Sequence, residues 1–327
     1  MPSSGGGLTL ESNSVNVNPD ISQFPLVFGT FLGRDSVALR AASTAKVQDR
    51  DIVVVLDRSG SMLTHDAGSI PISEYNANLL AVEDALYGEN DPKFDGDNGR
   101  HTEFENNGGI LNLSRIQSLK LALLKFRETI DDTPGQEKLG LVTYVDNADR
   151  PSDVTQATPN SAVDIIAGLT TFEFDTIIDD QVTDKSEQER TASALELPTA
   201  NGNYPNFDFN YLRMRSGGRT NIADGITAGT ETLFGPGHRP SSAPVLIVLT
   251  DGNHNQEGTP EGAAAAAMAL HPNMQIYTIT FGKGAAQSPM INVANTGNGR
   301  HVHVNNVDDL IAVFEELASI AGVAMVE

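Results

Sequence analysis

The sequence predicts an α/β fold, a doubly wound, mostly parallel sheet with helices on both faces. Three observations lead there. Short continuous apolar runs at residues 52–56, 139–145, 243–249 and 274–281 read as strands buried on both faces, as at the centre of a parallel sheet. Segments with helical apolar spacing alternate with these runs through to the end of the chain. Finally, polar turns bearing carboxylates and hydroxyls follow two of the strands, at the C-terminal edge where ligands bind in open α/β sheets.

Taken in order, residues 1–13 are Gly/Ser-rich and expected to be flexible. Residues 14–49 read as a small β extension: 14–18 and 36–42 alternate as half-buried strands, with a short apolar piece at 24–28 between them. The main domain is expected over 50–327. After its first strand, 75–86 has helical spacing in Leu79, Leu80, Val82 and Leu86. An acidic, Gly-rich insertion spans about 87–110. Within it Asp91, Asp95, Asp97 and Glu103 are candidates for a second cation site of the calcium type. Their spacing does not match an EF-hand, and a solvated acidic loop is the commoner case.

Ser114 is the expected N-cap of a helix to about 130, with Ile116, Leu119, Leu123, Leu124 and Phe126 as its stripe and Thr133-Pro134-Gly135 as its stop. A short edge strand is expected at 152–156 and a short helix at 160–169. Much of 171–215 reads as a second insertion near the ligand-binding edge. Its aromatic residues Tyr204, Phe207, Phe209 and Tyr211 either pack the insertion onto the domain or offer a ligand-contact surface. Helices then follow at 220–233, 261–270 (opened by Pro260), 287–296 and 307–321, with a last strand at 301–304.

Composition narrows the function. Against 21 Lys and Arg stand 43 Asp and Glu, a net charge of −22, which argues against nucleic acid or an anionic membrane as partner. There is no cysteine, hence no disulfide and no thiolate metal site. No apolar run is long enough to span a bilayer. The first seven residues, Met1-Pro-Ser-Ser-Gly-Gly-Gly, lack the basic and apolar regions of a signal peptide, so a native N-terminal anchor or signal is expected to be missing from this chain.

The chemistry sits after the first central strand, in Asp57-Arg58-Ser59-Gly60-Ser61. Oxygen donors alone, one carboxylate and two hydroxyls, suit a hard divalent cation such as Mg²⁺. This stretch resembles the Asp-x-Ser-x-Ser signature of von Willebrand factor type A domains, part of a metal-ion-dependent adhesion site. The family's later pieces are matched by Thr220, in Gly217-Gly-Arg-Thr-Asn-Ile222, and by Asp251, after the strand 245–250.

The resemblance implies a Rossmann-like sheet over about 50–322 and a Mg²⁺ or Mn²⁺ ion held by Asp57, Ser59, Ser61, Thr220 and Asp251. In the family, Ser59, Ser61 and either Thr220 or an Asp would bind directly and the rest through water. The ion then takes a carboxylate from a partner protein. Asn253 and His254 follow Asp251 and are expected to border the pocket. His301 and His303 share a strand face but have no third ligand in view for zinc.

The segment from Ser14 through Ser36-Val-Ala-Leu-Arg40 into Arg50-Asp-Ile-Val-Val-Val-Leu-Asp57 is similar, more loosely, to bacterial TadG-like envelope proteins. That implies a periplasmic or cell-surface protein linked to pilus assembly or adhesion, with pilus or envelope components as partners. The expected function is non-enzymatic cation-dependent binding. The alternatives are an assembly subunit whose cation only stiffens the fold and a metal-dependent hydrolase; Ca²⁺ is the alternative ion, for the acidic loop. The hydrolase is disfavoured by the lack of a Gly-x-Ser-x-Gly elbow, a phosphate loop or a His placed beside the motif.

Overall fold

The computed structural model describes residues 14–17, 20–25, 36–40, 43–75, 79, 105–106, 109–133, 136–153, 191–199, 204–212, 214, 216–319 and 322–326. The acidic loop with Asp91, Asp95, Asp97 and Glu103, most of 75–86, the end of 152–156 and all of 160–169 lie outside them.

Four N-terminal strands come first: β1 (Ser14–Val17), β2 (Asp20–Pro25), β3 (Ser36–Arg40) and β4 (Ser43–Gln48). β2 and β3 pair with each other, whereas β4 lies between β1 and the last strand of the chain, β14 (Gly322–Val326), antiparallel to both. The β extension therefore draws on both ends of the described chain. The expected final helix is followed by a strand that the sequence did not disclose.

The main sheet is built on β5 (Arg50–Asp57), every residue of which is buried. That follows from Ile52-Val-Val-Val-Leu56, whose side chains have apolar neighbours on both sides and whose backbone pairs along both edges. Its neighbours are β9 (Lys138–Tyr144) and β11 (Ala243–Thr250), both parallel to it. Beyond β11 come β12 (Gln275–Phe281) and β13 (His301–Val304), also parallel. The far edge is β10 (Ala192–Glu196), antiparallel to β9, so the order is β10-β9-β5-β11-β12-β13. A mostly parallel sheet flanked by helices is thus observed, as the apolar periodicity requires.

Alternation along β5 divides the core in two. Ile52, Val54 and Leu56 face α1 (Arg115–Asp131), α2 (Pro205–Leu212) and α6 (Val307–Ser319). Val53 and Val55 face α3 (Ile222–Leu233), α4 (Pro260–Leu270) and α5 (Gln287–Thr296). Each well-defined start has a local cause. Ser114 and Gln117 form a reciprocal capping box at α1, Asn221 accepts from Asp224 N at α3, and Thr259 accepts from Gly262 N at α4 with Pro260 in its first turn. Helix α3 lies close on the sheet because Gly225 faces the Tyr144 ring and Gly229 faces Val55 and Leu246.

Within 171–215, expected to be an insertion, β10 and α2 are integral to the domain. Ala192-Ser-Ala-Leu-Glu196 has no β-branched or aromatic residue, so its propensity gives no strand signal; pairing with β9 decides its state. Among the described residues, β5 is followed by a 3₁₀ turn (Gly60–Leu63) and by a small sheet of β6 (Ser69–Pro71), β7 (Glu105–Asn106) and β8 (Ile110–Asn112) ahead of α1. Ser152 and Asp153, expected to begin an edge strand, lie instead in a 3₁₀ turn (Pro151–Asp153).

At the N-terminal edge of the sheet, Arg50 is buried against Glu137 (3.0 Å) and donates to the carbonyls of Leu317 and Ala318, so it closes the end of α6.

Candidate metal centre

The C-terminal edge of the sheet gathers three loops, and their backbones tie them together. Arg58 N donates to Tyr144 O, Gly60 N to Gly218 O and Gly217 N to Arg58 O. Asn221 N donates to Val145 O, and Asn255 N to Thr220 O. Gly218 sits at φ +72°, where a Cβ would come within 2.7 Å of Asp146 Oδ2; glycine is needed there for both reasons.

The side chains of these loops converge. Asp57, wholly buried, accepts from its own turn through Ser59 N (2.8 Å) and from Thr250 Oγ1 (2.7 Å). Ser59 Oγ and Ser61 Oγ lie 3.0 Å apart, and Ser61 Oγ donates to Asp251 Oδ1 at 2.6 Å. Thr220 completes the group. A point one Cβ above Gly252 lies 3.4 Å from Ser61 Oγ and 3.6 Å from Thr220 Oγ1, so both hydroxyls face the same spot. Thr220 is held there by its amide, which donates to Asn255 Oδ1 (3.0 Å). All five expected residues thus meet at one place, on the turn after β5, the loop before α3 and the end of β11.

The two carboxylates of the centre differ in their surroundings. Burial, then the charge of Asp251, pushes the Asp57 carboxyl up to about 7. Its hydrogen bonds come from an amide and hydroxyls, none from a cationic side chain. Burial raises Asp251 as well, opposed by Ser61 and by Arg115. Two carboxylates with three hydroxyls are hard oxygen donors, and they fit a divalent ion of the Mg²⁺ or Mn²⁺ kind. The donor set is poor in His and carboxylate; among the described residues no group of three or more such side chains forms a metal cluster.

Three residues at this edge carried no signal in the sequence. Arg115, the first residue of α1, reaches Asp251 Oδ2 with Nη1 (2.8 Å) and clasps Asp66 through Nε (2.8 Å) and Nη2 (2.7 Å). Asn255 holds Thr220, and Thr250 holds Asp57.

Other expected residues are elsewhere. Tyr204, Phe207 and Tyr211 do not line this edge. They are at most 1 % exposed, and Phe207 and Tyr211 pack ring against ring as α2 seals the sheet. Phe207 and Tyr211, four residues apart on α2, share its inward face. Asn253 is exposed and His254 half-buried on the loop after Asp251, where His254 Nε2 bonds Gly258 O. His301 and His303 pair with the hydroxyls of Thr278 and Thr280 on the neighbouring strand, not with a metal set.

A family model described as von Willebrand factor type A domain matches residues 203–318. The match includes Thr220 and Asp251, while Asp57, Ser59 and Ser61 lie upstream on the strand paired directly to β11. No curated protein matches the chain. Several solved structures align with it. A conserved hypothetical protein, BatB, from Bacteroides thetaiotaomicron does so at 15% identity and TM-score 0.45, over 82% of this chain and 97% of that one. A von Willebrand factor type A protein from Catenulispora acidiphila aligns at 12% identity and TM-score 0.47, over 94% and 49%. Proximal thread matrix protein 1 from the mussel byssus, described with a zinc-occupied MIDAS motif, aligns at 16% identity and TM-score 0.40, over 83% and 47%. The present chain spans about half the length of the last two. Residues 203–318 thus match the von Willebrand factor type A domain model, and they lie in a mostly parallel sheet flanked by helices.

Proposed function

We propose that the chain is a non-enzymatic, cation-dependent binding protein of the bacterial envelope or cell surface. Asp57, Ser59, Ser61, Thr220 and Asp251 would hold Mg²⁺ or Mn²⁺, and the ion would offer a coordination position to an acidic side chain of a partner protein. The observation that carries this reading is the convergence of those five side chains from three cross-linked loops, with a buried carboxylate that no protein cation neutralises. Each loop serves the site differently. β5 fixes Asp57 in the sheet, the 3₁₀ turn aims the two serines, and the start of α3 presents Thr220.

A hydrolase would need a base beside its nucleophile. Here the serine hydroxyls bond to each other and to Asp251, while the imidazole that follows Asp251, His254, is engaged with Gly258 O. The likeness of the N-terminal strands to TadG-like proteins supports a link to pilus assembly or adhesion. Among the described residues no helix is long and apolar enough to cross a membrane.

The test is a thermal melt of the wild type and Asp57→Ala in EDTA, Mg²⁺, Mn²⁺ and Ca²⁺. An ion that binds only the folded state stabilises it by mass action, by about 2.7 kcal/mol at a hundredfold excess over Kd, and so raises Tm. A rise with Mg²⁺ or Mn²⁺ that Asp57→Ala loses is expected. No rise with any ion, or a rise that the variant keeps, overturns the proposed centre.

A further inference from the structure

The guanidinium of Arg115 stands at the edge of the centre, and its surroundings do not let it leave. Its side chain is 8% exposed. Nη1 donates to Asp251 Oδ2 at 2.8 Å and lies 3.4 Å from the Asp251 carbonyl oxygen. Nε and Nη2 donate in parallel to the two oxygens of Asp66, the fork-to-fork geometry that only arginine makes. On the remaining side lies Gly282, where an added Cβ would stand 2.6 Å from the guanidinium carbon. The backbone is fixed as well, since Arg115 N donates to Thr64 O and Ser114 caps the helix.

This arrangement divides the two carboxylates of the centre. Asp251 already has a cationic partner on one oxygen and presents only Oδ1 to Ser61. Asp57 has none. Asp66, 30% exposed and held below the usual carboxylate range first by its hydrogen bonds from Arg115, stays charged and keeps the guanidinium in place.

We propose that Arg115, clamped by Asp66, is a resident counter-charge of the centre. It weakens the hold on the divalent ion and leaves more of the ion's charge for an outside carboxylate. The inference deepens the proposed function and rests on it. An arginine that merely positioned Asp251 would strengthen ion binding; one that acts through its charge weakens it. The two roles differ in sign.

The experiment is a calorimetric Mg²⁺ and Mn²⁺ titration of the full chain as wild type, Arg115→Gln, Asp66→Asn and Asp57→Ala, with a melt in EDTA to show that each is folded. Removing the fixed positive charge in Arg115→Gln is expected to tighten ion binding about tenfold. Asp66→Asn keeps the guanidinium but removes the charge that balances it, and is expected to weaken binding about threefold. Opposite shifts in the two variants support the proposal, because loss of fold would weaken both. Binding in Arg115→Gln that is unchanged or weaker overturns it, as does Asp66→Asn binding as tightly as wild type; if Arg115→Gln does not fold, Asp66→Asn decides alone. Wild type that binds no ion, or Asp57→Ala that still binds, overturns the metal centre itself.

Discussion

Gly229→Ala tests whether the close approach of α3 to the sheet is what delivers Thr220. In an isolated helix this substitution is favourable by about 1 kcal/mol, since glycine is the poorer helix former. At this position the new methyl would press on Val55 of β5 and come within 2.9 Å of Leu246 of β11. Both are fully buried on the central strands and have no free space into which to retreat. Overpacking of this kind costs about 1–3 kcal/mol, so the helix gain is cancelled and a net loss of about 1 kcal/mol is expected. For a chain of this size that lowers Tm by about 1.5 °C.

The cause can be isolated in a cycle. Val55→Ala removes the methyl that Gly229→Ala meets, and alone costs about 2 kcal/mol. In the double variant the alanine at 229 enters the space, and a favourable coupling of about 1 kcal/mol is expected by urea unfolding. Because β5 carries Asp57 and α3 begins beside Thr220, Mg²⁺ affinity should fall in Gly229→Ala and recover in the double variant. A stabilised Gly229→Ala, or additive behaviour in the cycle, would refute the reasoning.

Two further outcomes follow from buried charge. Glu137→Ala leaves Arg50 without its carboxylate at the buried edge and is expected to cost about 4 kcal/mol by urea unfolding, whereas Glu231→Ala, which breaks a pair 33% and 56% exposed, should change stability by less than about 0.5 kcal/mol; equal effects would contradict the assignment. Burial pushes the carboxyl of Asp208 from an ordinary 3.8 up to about 7, so the folded protein holds this proton more tightly than the unfolded chain does. Its contribution to stability is complete below about pH 4 and is lost as pH rises through 7, and Asp208→Asn should flatten that part of the stability–pH profile measured in EDTA; an unaltered slope counts against it.

What the sequence disclosed was whatever had a strong local period or a fixed chemical pattern. The run 52–56 read as a doubly buried strand, and the Asp57–Ser61 turn and Asp251 read as strand ends, whereas Thr220, expected to open a helix, lies in the loop before Ile222. β10 escaped because alanine and serine carry no strand preference, and its state comes from the partner β9 lying far away in sequence. β14 escaped for the same reason, its pairing being with β4 at the other end of the chain. Tyr204, Phe207 and Tyr211 were legible as an aromatic cluster, but which way it faced depended on the sheet beneath it. Arg115 was the most thoroughly hidden. An arginine opening a helix is ordinary in sequence, and its meaning lies in Asp66 and Asp251, which only the fold brings to it.

The join between the small sheet and the large one has a mechanical consequence. β4 ends at Gln48 and β5 begins at Arg50, so the chain runs from Ser43 to Asp57 as two successive strands with a single residue between them. Traction on a partner held at the centre would enter at Asp57 and travel down β5 along its own axis. On that line the strand is bonded to β9 and β11 over nearly its whole length, and β4 beyond it is bonded to β1 and β14. Tension along a strand loads such bonds together in shear, whereas peeling would break them one after another. The turn that carries Asp57 and the small sheet are thus joined along one line of paired strand.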